Sequence, residues 1–146
     1  MNEEKRLDDF FTYIRLASKC VFKLKSKAVK NKDLKTIHVE ILFYLSYKGP
    51  LSATEIVKLT LEDKAAVSKA LKVLKEREYI NYDNKNKYKE KISLTVSGQI
   101  LARDIQEEAT AALFKARRGI SDEDAAVFAS TLKKICDNLQ AYANED

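Results

Sequence analysis

Between Leu51 and Thr95 the sequence LSATEIVKLTLEDKAAVSKALKVLKEREYINYDNKNKYKEKISLT breaks a helical pattern once and then abandons it for an alternating one, which leaves few folds open. Ser52 and Glu55 stand in capping-box spacing, with Leu51 and Ile56 placed as a hydrophobic staple, so a helix starts at a defined point and carries Ile56 and Leu59 one turn apart. The run TLED interrupts the pattern and predicts a turn, after which a second helix begins at Lys64. In it Val67, Leu71 and Leu74 follow i, i+4, i+7, a narrow face that must be buried. At about 100° per residue, Ala65, Ser68, Lys69, Lys72 and Lys75 take the opposite side. Past Glu78 the period is two: Ile80 and Tyr82, then Tyr88, Ile92 and Leu94, share a face against Lys87, Lys89, Lys91 and Ser93, with Asp83-Asn84-Lys85-Asn86 as the turn. A charged hairpin directly after a helix-turn-helix is a wing.

Charge follows the same boundaries. The chain of 146 residues has a net charge of +5. From Lys64 to Lys91 there are nine basic residues against four acidic ones, while the remainder holds eighteen of each. All the excess positive charge therefore falls on the second helix and its hairpin, the footprint of a surface that binds a polyanion. An arbitrary lysine run would more simply be a solvated face. A second rival is a winged-helix module whose lysines hold an acidic protein partner without touching DNA.

Other function classes find little support. Three glycines, one histidine, no Gly-rich phosphate loop and no nucleophile elbow argue against an enzyme, and no cofactor is implied. No His, Cys and carboxylate cluster has metal-ligand spacing. Cys20 and Cys136 are too isolated for a disulfide framework, and buried, reduced thiols are the expectation. The start, MNEEKRLDDFF, is charged with no apolar core behind it, and the longest apolar run is Ile41 to Leu45, so a cytoplasmic protein without a membrane segment is expected.

The flanks read as helices. From about Glu3 to Lys30, Phe10, Ile14, Ala17, Val21, Leu24 and Ala28 recur at spacings of three and four, and Phe11 and Phe22 add a second stripe. NKDL breaks this helix, Thr36 to Tyr47 forms the next with Ile37, Ile41, Leu42 and Leu45 inward, and Gly49-Pro50 ends it. Thr95 leads into a long helix through Ile100, Leu101, Ile105, Ala109, Ala112, Leu113 and Ala116; Gly119 closes it and Ser121 caps the last. In that final helix Phe128, Leu132, Ile135, Leu139 and Tyr142 repeat at four, three, four, three. This heptad pattern predicts helix-on-helix packing, either in a dimer or within the chain against the first helix.

The segments ILFYLSYKGPLSATEI, DKAAVSKALKVLKEREYI and ISLTVSGQ, in this order and spacing, resemble the MarR family of transcription regulators over essentially the whole chain. The resemblance implies a mainly α fold with a small β-hairpin wing: a winged helix-turn-helix DNA-binding lobe over 34–95, with dimerisation helices over 1–30 and 96–146. It places Ser68 and Lys69 at the groove-facing start of the recognition helix, Lys72 a turn later, and Leu94, Thr95 and Gly98 where the last strand meets the dimerisation helix. The surface expected to meet double-stranded DNA is Ser52, Thr54, Lys64, Ala65, Ser68, Lys69 and Lys72, with Lys85, Lys87 and Lys89 of the wing on phosphate. The family's wing carries Asp-x-Arg, its arginine entering the minor groove; here Asn86 and Tyr88 stand at those positions. Glu78 replaces the glycine that usually follows the recognition helix. A homodimeric repressor on a pseudo-palindromic site is implied, released by a small effector in a crevice lined from the first and second helices. His38 is the candidate there, against the plainer reading of an ordinary core or surface residue. Cys20, in the helix where some relatives sense peroxide, is either a redox thiol or inert packing.

Overall fold

The computed structural model describes residues 2–83 and 90–145, without the side chains of Glu4 and Leu7. Its helices are α1 (Glu3–Ser26), α2 (Thr36–Lys48), α3 (Ala53–Thr60), α4 (Lys64–Glu76), α5 (Val96–Ala116) and α6 (Asp122–Ala143), with strands β1 (Ile80–Asp83) and β2 (Lys91–Leu94) between α4 and α5. A 3-10 turn over Lys27–Val29 ends the first helix four residues earlier than its apolar pattern suggests. Two compact units result, Met1–Ala112 and Leu113–Asp146.

In the first unit α2 is the hub. Its apolar residues point in all directions, and the helix packs against α1, α3, α4 and β2. Val39, Ile41, Leu42 and Leu45 are buried, and Ile37, Phe43 and Tyr44 half-buried around them. Gly49 ends the helix at φ +82°, a conformation that costs most residues but not glycine, and Leu51 then pairs as an isolated bridge with Ile92 of β2. Leu51 and Ile56 are both buried across the α3 start, as the staple requires. On α4 the face Val67, Ala70, Leu71, Leu74 is buried, and the antiparallel hairpin puts Ile80 opposite Leu94 and Tyr82 opposite Ile92, so one side of the wing joins the same core. Asp83 is the last residue of β1, paired with Lys91, and not part of the turn; the rest of the expected tip, with Lys85, Lys87, Tyr88 and Lys89, lies outside the described residues.

The second unit is held by local bonds. Gly119 turns the chain at φ +80°, Arg117 pairs with Asp122, and the Ser121 hydroxyl accepts the Asp124 amide at 3.0 Å to cap α6. Lys133 and Asp137 form an i, i+4 pair at 2.6 Å. No residue of α6 is buried: Leu132 and Ile135 are half-covered, while Phe128 and Tyr142 are 64% and 76% exposed.

Both cysteines depart from expectation. Cys20 and Cys136 are free and exposed. Among the described residues no helix is long and apolar enough to cross a membrane.

Candidate nucleic-acid interface

The capping chemistry of α3 and α4 fixes which side chains they turn outward. Ser52 Oγ accepts the Glu55 amide at 3.2 Å and a Glu55 carboxylate oxygen accepts the Ser52 amide at 2.7 Å, the reciprocal box that the spacing predicts. The same carboxylate reaches Lys91 of β2 at 3.0 Å and so ties the wing to the helix-turn-helix. The Ser52 amide above all, then Lys91, holds the Glu55 carboxyl down at about 2. Leu61, in the left-handed region at φ +57°, makes the sharp exit from α3, and the Asp63 carboxylate caps α4 by accepting the Ala66 amide at 2.8 Å.

With its apolar face buried, α4 presents Lys64, Ala65, Ser68, Lys69 and Lys72 to solvent. Lys64, Lys69 and Lys72 have no side-chain partner among the described residues. The other cations of the segment are engaged. Lys75 Nζ lies 4.5 Å from the centre of the Tyr82 ring, Lys91 holds Glu55, and Arg77 folds back to donate to the Lys32 carbonyl and to meet Asp33 at 3.4 Å. Thr54 is exposed and Ser52 half-buried at the start of α3. Thr54, Lys64, Ser68 and Tyr82 rim a dimple of 510 Å³ whose floor is Val57, Val67 and Leu71, a shape that accepts an apolar group such as a methyl at the edge of the polar front.

The end of α4 makes a left-handed turn at a residue that is not glycine. Glu78 sits at φ +61°, its amide bonding the Lys75 carbonyl at 2.9 Å, and the Tyr79 amide bonds Leu74 at 2.9 Å. A residue with a Cβ in this region costs about 1 kcal/mol, which these two bonds offset. Thr95 fixes the passage into α5: its hydroxyl donates to the Glu78 carbonyl at 2.6 Å, accepts the Gly98 amide at 2.9 Å, and so joins the end of α4 to the first turn of the next long helix. At Gly98 a Cβ would lie 2.0 Å from the Tyr79 carbonyl oxygen, so the Leu94, Thr95 and Gly98 pattern is a close backbone crossing written in sequence.

His38 is 5% exposed at the start of α2 and faces α4. Its Nδ1 accepts the Lys35 amide at 2.9 Å, a capping contact that spacing alone does not reveal. Burial, followed by the charges of Arg77 and Lys35, holds its pKa below the usual histidine range against a smaller opposing effect of Asp33. Between α1 and α2 the contact is charged: Lys25 meets Glu40 at 3.2 Å and lies 4.1 Å from the Phe43 ring centre.

A helix pair set at a sharp turn, the second helix turning three lysines without side-chain partners among the described residues outward, and a two-stranded wing beside it define a winged helix-turn-helix fold. Residues 32–84 match the model of the MarR family. Solved structures of similar fold include a MarR family regulator from Neisseria meningitidis, 22% identical over 99% of each chain with a TM-score of 0.77. Another is a MarR family transcriptional regulator from Listeria monocytogenes in complex with a 26-mer DNA, 19% identical over 88% of this chain and 87% of that one, TM-score 0.78. A third is BpsR of Bordetella bronchiseptica, whose DNA binding is regulated by 6-hydroxynicotinic acid, 20% identical over 88% of this chain and 98% of that one, TM-score 0.69. No curated protein matches the chain.

Proposed function

We propose that this protein is a homodimeric, sequence-specific repressor of the cytoplasm. Each copy lays α4 in a major groove, the two grooves about one helical turn apart on a pseudo-palindromic operator. The observation that carries this reading is the cationic front of α4, where Lys64, Lys69 and Lys72 stand free of side-chain partners among the described residues while their neighbours are engaged elsewhere. Lysines at these positions fix register on the backbone, and Ala65 and Ser68 between them are small enough to meet base edges or a thymine methyl. Lys85, Lys87 and Lys89 hold flanking phosphate from the wing.

The apolar side chains left open on α1, among them Phe11, Leu16 and Val21, and on α6, Phe128, Leu139 and Tyr142, supply the surface for the second copy. The regions 1–30 and 96–146 are thus the dimerisation helices and 34–95 the reading lobe. A small effector releases the operator, as the ligand regulation of the Bordetella relative suggests. Bound in a crevice beside α1 and α2, it changes the distance between the two α4 helices.

The test is salt-dependent binding to fragments selected from sheared genomic DNA. Lys69→Ala with Lys72→Ala removes two lysines from each copy, and each lost phosphate contact lowers the slope of log K against log salt by about 0.9. A dimer in which all of them touch phosphate should therefore show a slope shallower by roughly 3 to 4, with weaker binding. Unchanged affinity and slope would place the interface elsewhere. A wild-type protein that prefers no fragment would favour the acidic-partner reading.

A further inference from the structure

A second feature beside α4 is left unused by groove reading. A cleft of 790 Å³ opens between the first turn of α2 and the flank of α4, lined among others by Lys35, Thr36, His38, Lys69 and Lys72. Thr36 and Ile37 begin α2, so their amides have no intrahelical acceptor, and the first turn holds no acidic side chain to satisfy them. Such a turn attracts an anion.

His38 adds an independent indication. Because its Nδ1 accepts the Lys35 amide, the neutral ring carries its proton on Nε2. That donor has no hydrogen-bond partner among the described residues, and the ring, 5% exposed, lines the cleft. Burial first, then the charges of Arg77 and Lys35, keep the ring neutral at neutral pH, a donor with its cap intact. Asp33 is taken by Arg77; Glu62 and Glu76 stand on the rim and oppose an anion, outweighed by Lys35, Lys69 and Lys72.

We propose that this cleft is a phosphate site for the DNA backbone: the Thr36 and Ile37 amides and His38 Nε2–H hold one phosphate of the strand bordering the groove, with Lys69 and Lys72 closing on it from α4. The major groove is about 12 Å wide and a helix with its side chains about 10 to 12 Å across, so a helix lying in the groove brings the wall of phosphates to the mouth of such a cleft. The inference rests on the DNA-binding reading of α4 and adds α2 as a second element that grips the duplex. His38 is then a ligand-binding residue whose ligand is the DNA itself.

The experiment measures binding of the full-length protein to a labelled mixed-sequence duplex at low salt, where backbone contacts dominate. His38→Asn keeps an acceptor at the Nδ1 position and removes the Nε2 donor. Thr36→Pro deletes one amide at the first helical position, where proline is tolerated, and Lys35 before it is already extended at φ −88°, ψ 169°. Each variant should melt near the wild-type temperature and bind DNA roughly a hundredfold more weakly, about tenfold for the hydrogen bond to a charged group lost from each copy of the dimer. The His38 ring resonances should move on adding DNA and stay put with the same concentration of inorganic phosphate. If both variants bind like wild type while Lys69→Ala/Lys72→Ala loses affinity, the cleft is not a DNA site although the α4 interface stands. Should inorganic phosphate move the His38 resonances and His38→Asn leave DNA binding unchanged, the ligand is a free anion and the proposal falls. Unchanged binding by the double lysine variant would remove the interface and this site with it.

Discussion

Helices α4 and α6 carry apolar residues at closely similar spacings and end in opposite conditions. On α4 every residue of the stripe Val67, Ala70, Leu71, Leu74 is buried inside its own chain. On α6 the stripe Phe128, Leu132, Ile135, Leu139, Tyr142 has no buried member. The spacing states that a helix has a face to cover; it does not state with what. For α4 the cover is α2, α3 and the hairpin, all within sixty residues of sequence. For α6 the pattern is as regular, and within its own unit the stripe finds no such cover.

The sharpest way to break the buried side of this comparison is Gly98→Ala. The added methyl would overlap the Tyr79 carbonyl oxygen, a backbone atom that cannot swing aside, so a loss of at least about 3 kcal/mol is expected in denaturant unfolding. A loss below about 1 kcal/mol would mean that α5 crosses the hairpin with room for a side chain.

The open side is tested by Phe128→Ser with Leu139→Ser. In a chain that stays alone, two such exposed positions move stability by no more than about 0.5 kcal/mol each. In a dimer they should lower the melting temperature in a concentration-dependent way and convert the species seen in sedimentation equilibrium to half its mass. Identical sedimentation and melting of variant and wild type would assign the α6 stripe no partner copy.

The smallest effect belongs to the α3 cap. Glu55 falls from 4.5 to about 2 on folding, held chiefly by the Ser52 amide. A lowered carboxyl contributes stability that is complete above 4.5 and is lost as pH falls from there through 2. Amide exchange at Ser52 and Glu55 should therefore quicken across that window before the α4 amides respond. If both helices loosen together, the box is not an independent local restraint.

Much of this molecule is legible as sequence because its signals are local. Ser52 with Glu55, Gly49, Gly119 and Ser121 set helix ends through contacts with near neighbours, and the stripe on α4 announces its buried side. What stays hidden depends on distant pairing. Counting charges puts Arg77, Lys75 and Lys91 with the free lysines, whereas each is engaged, by Asp33, Tyr82 and Glu55 respectively. Glu78 in a glycine conformation is equally out of reach, since the Thr95 bond that steadies it comes from seventeen residues away. The cysteines mislead for the converse reason: an apolar seam implies burial, and both thiols are exposed.

The Thr95 hydroxyl, bound to the Glu78 carbonyl on one side and the Gly98 amide on the other, makes the tail of α4 and the head of α5 a single mechanical piece. Under the proposed function, torque applied along α5 is delivered to the end of α4 through these two bonds. A repressor of the kind proposed, hinged in this way, would switch off by re-aiming its fingers while leaving every fingertip unchanged.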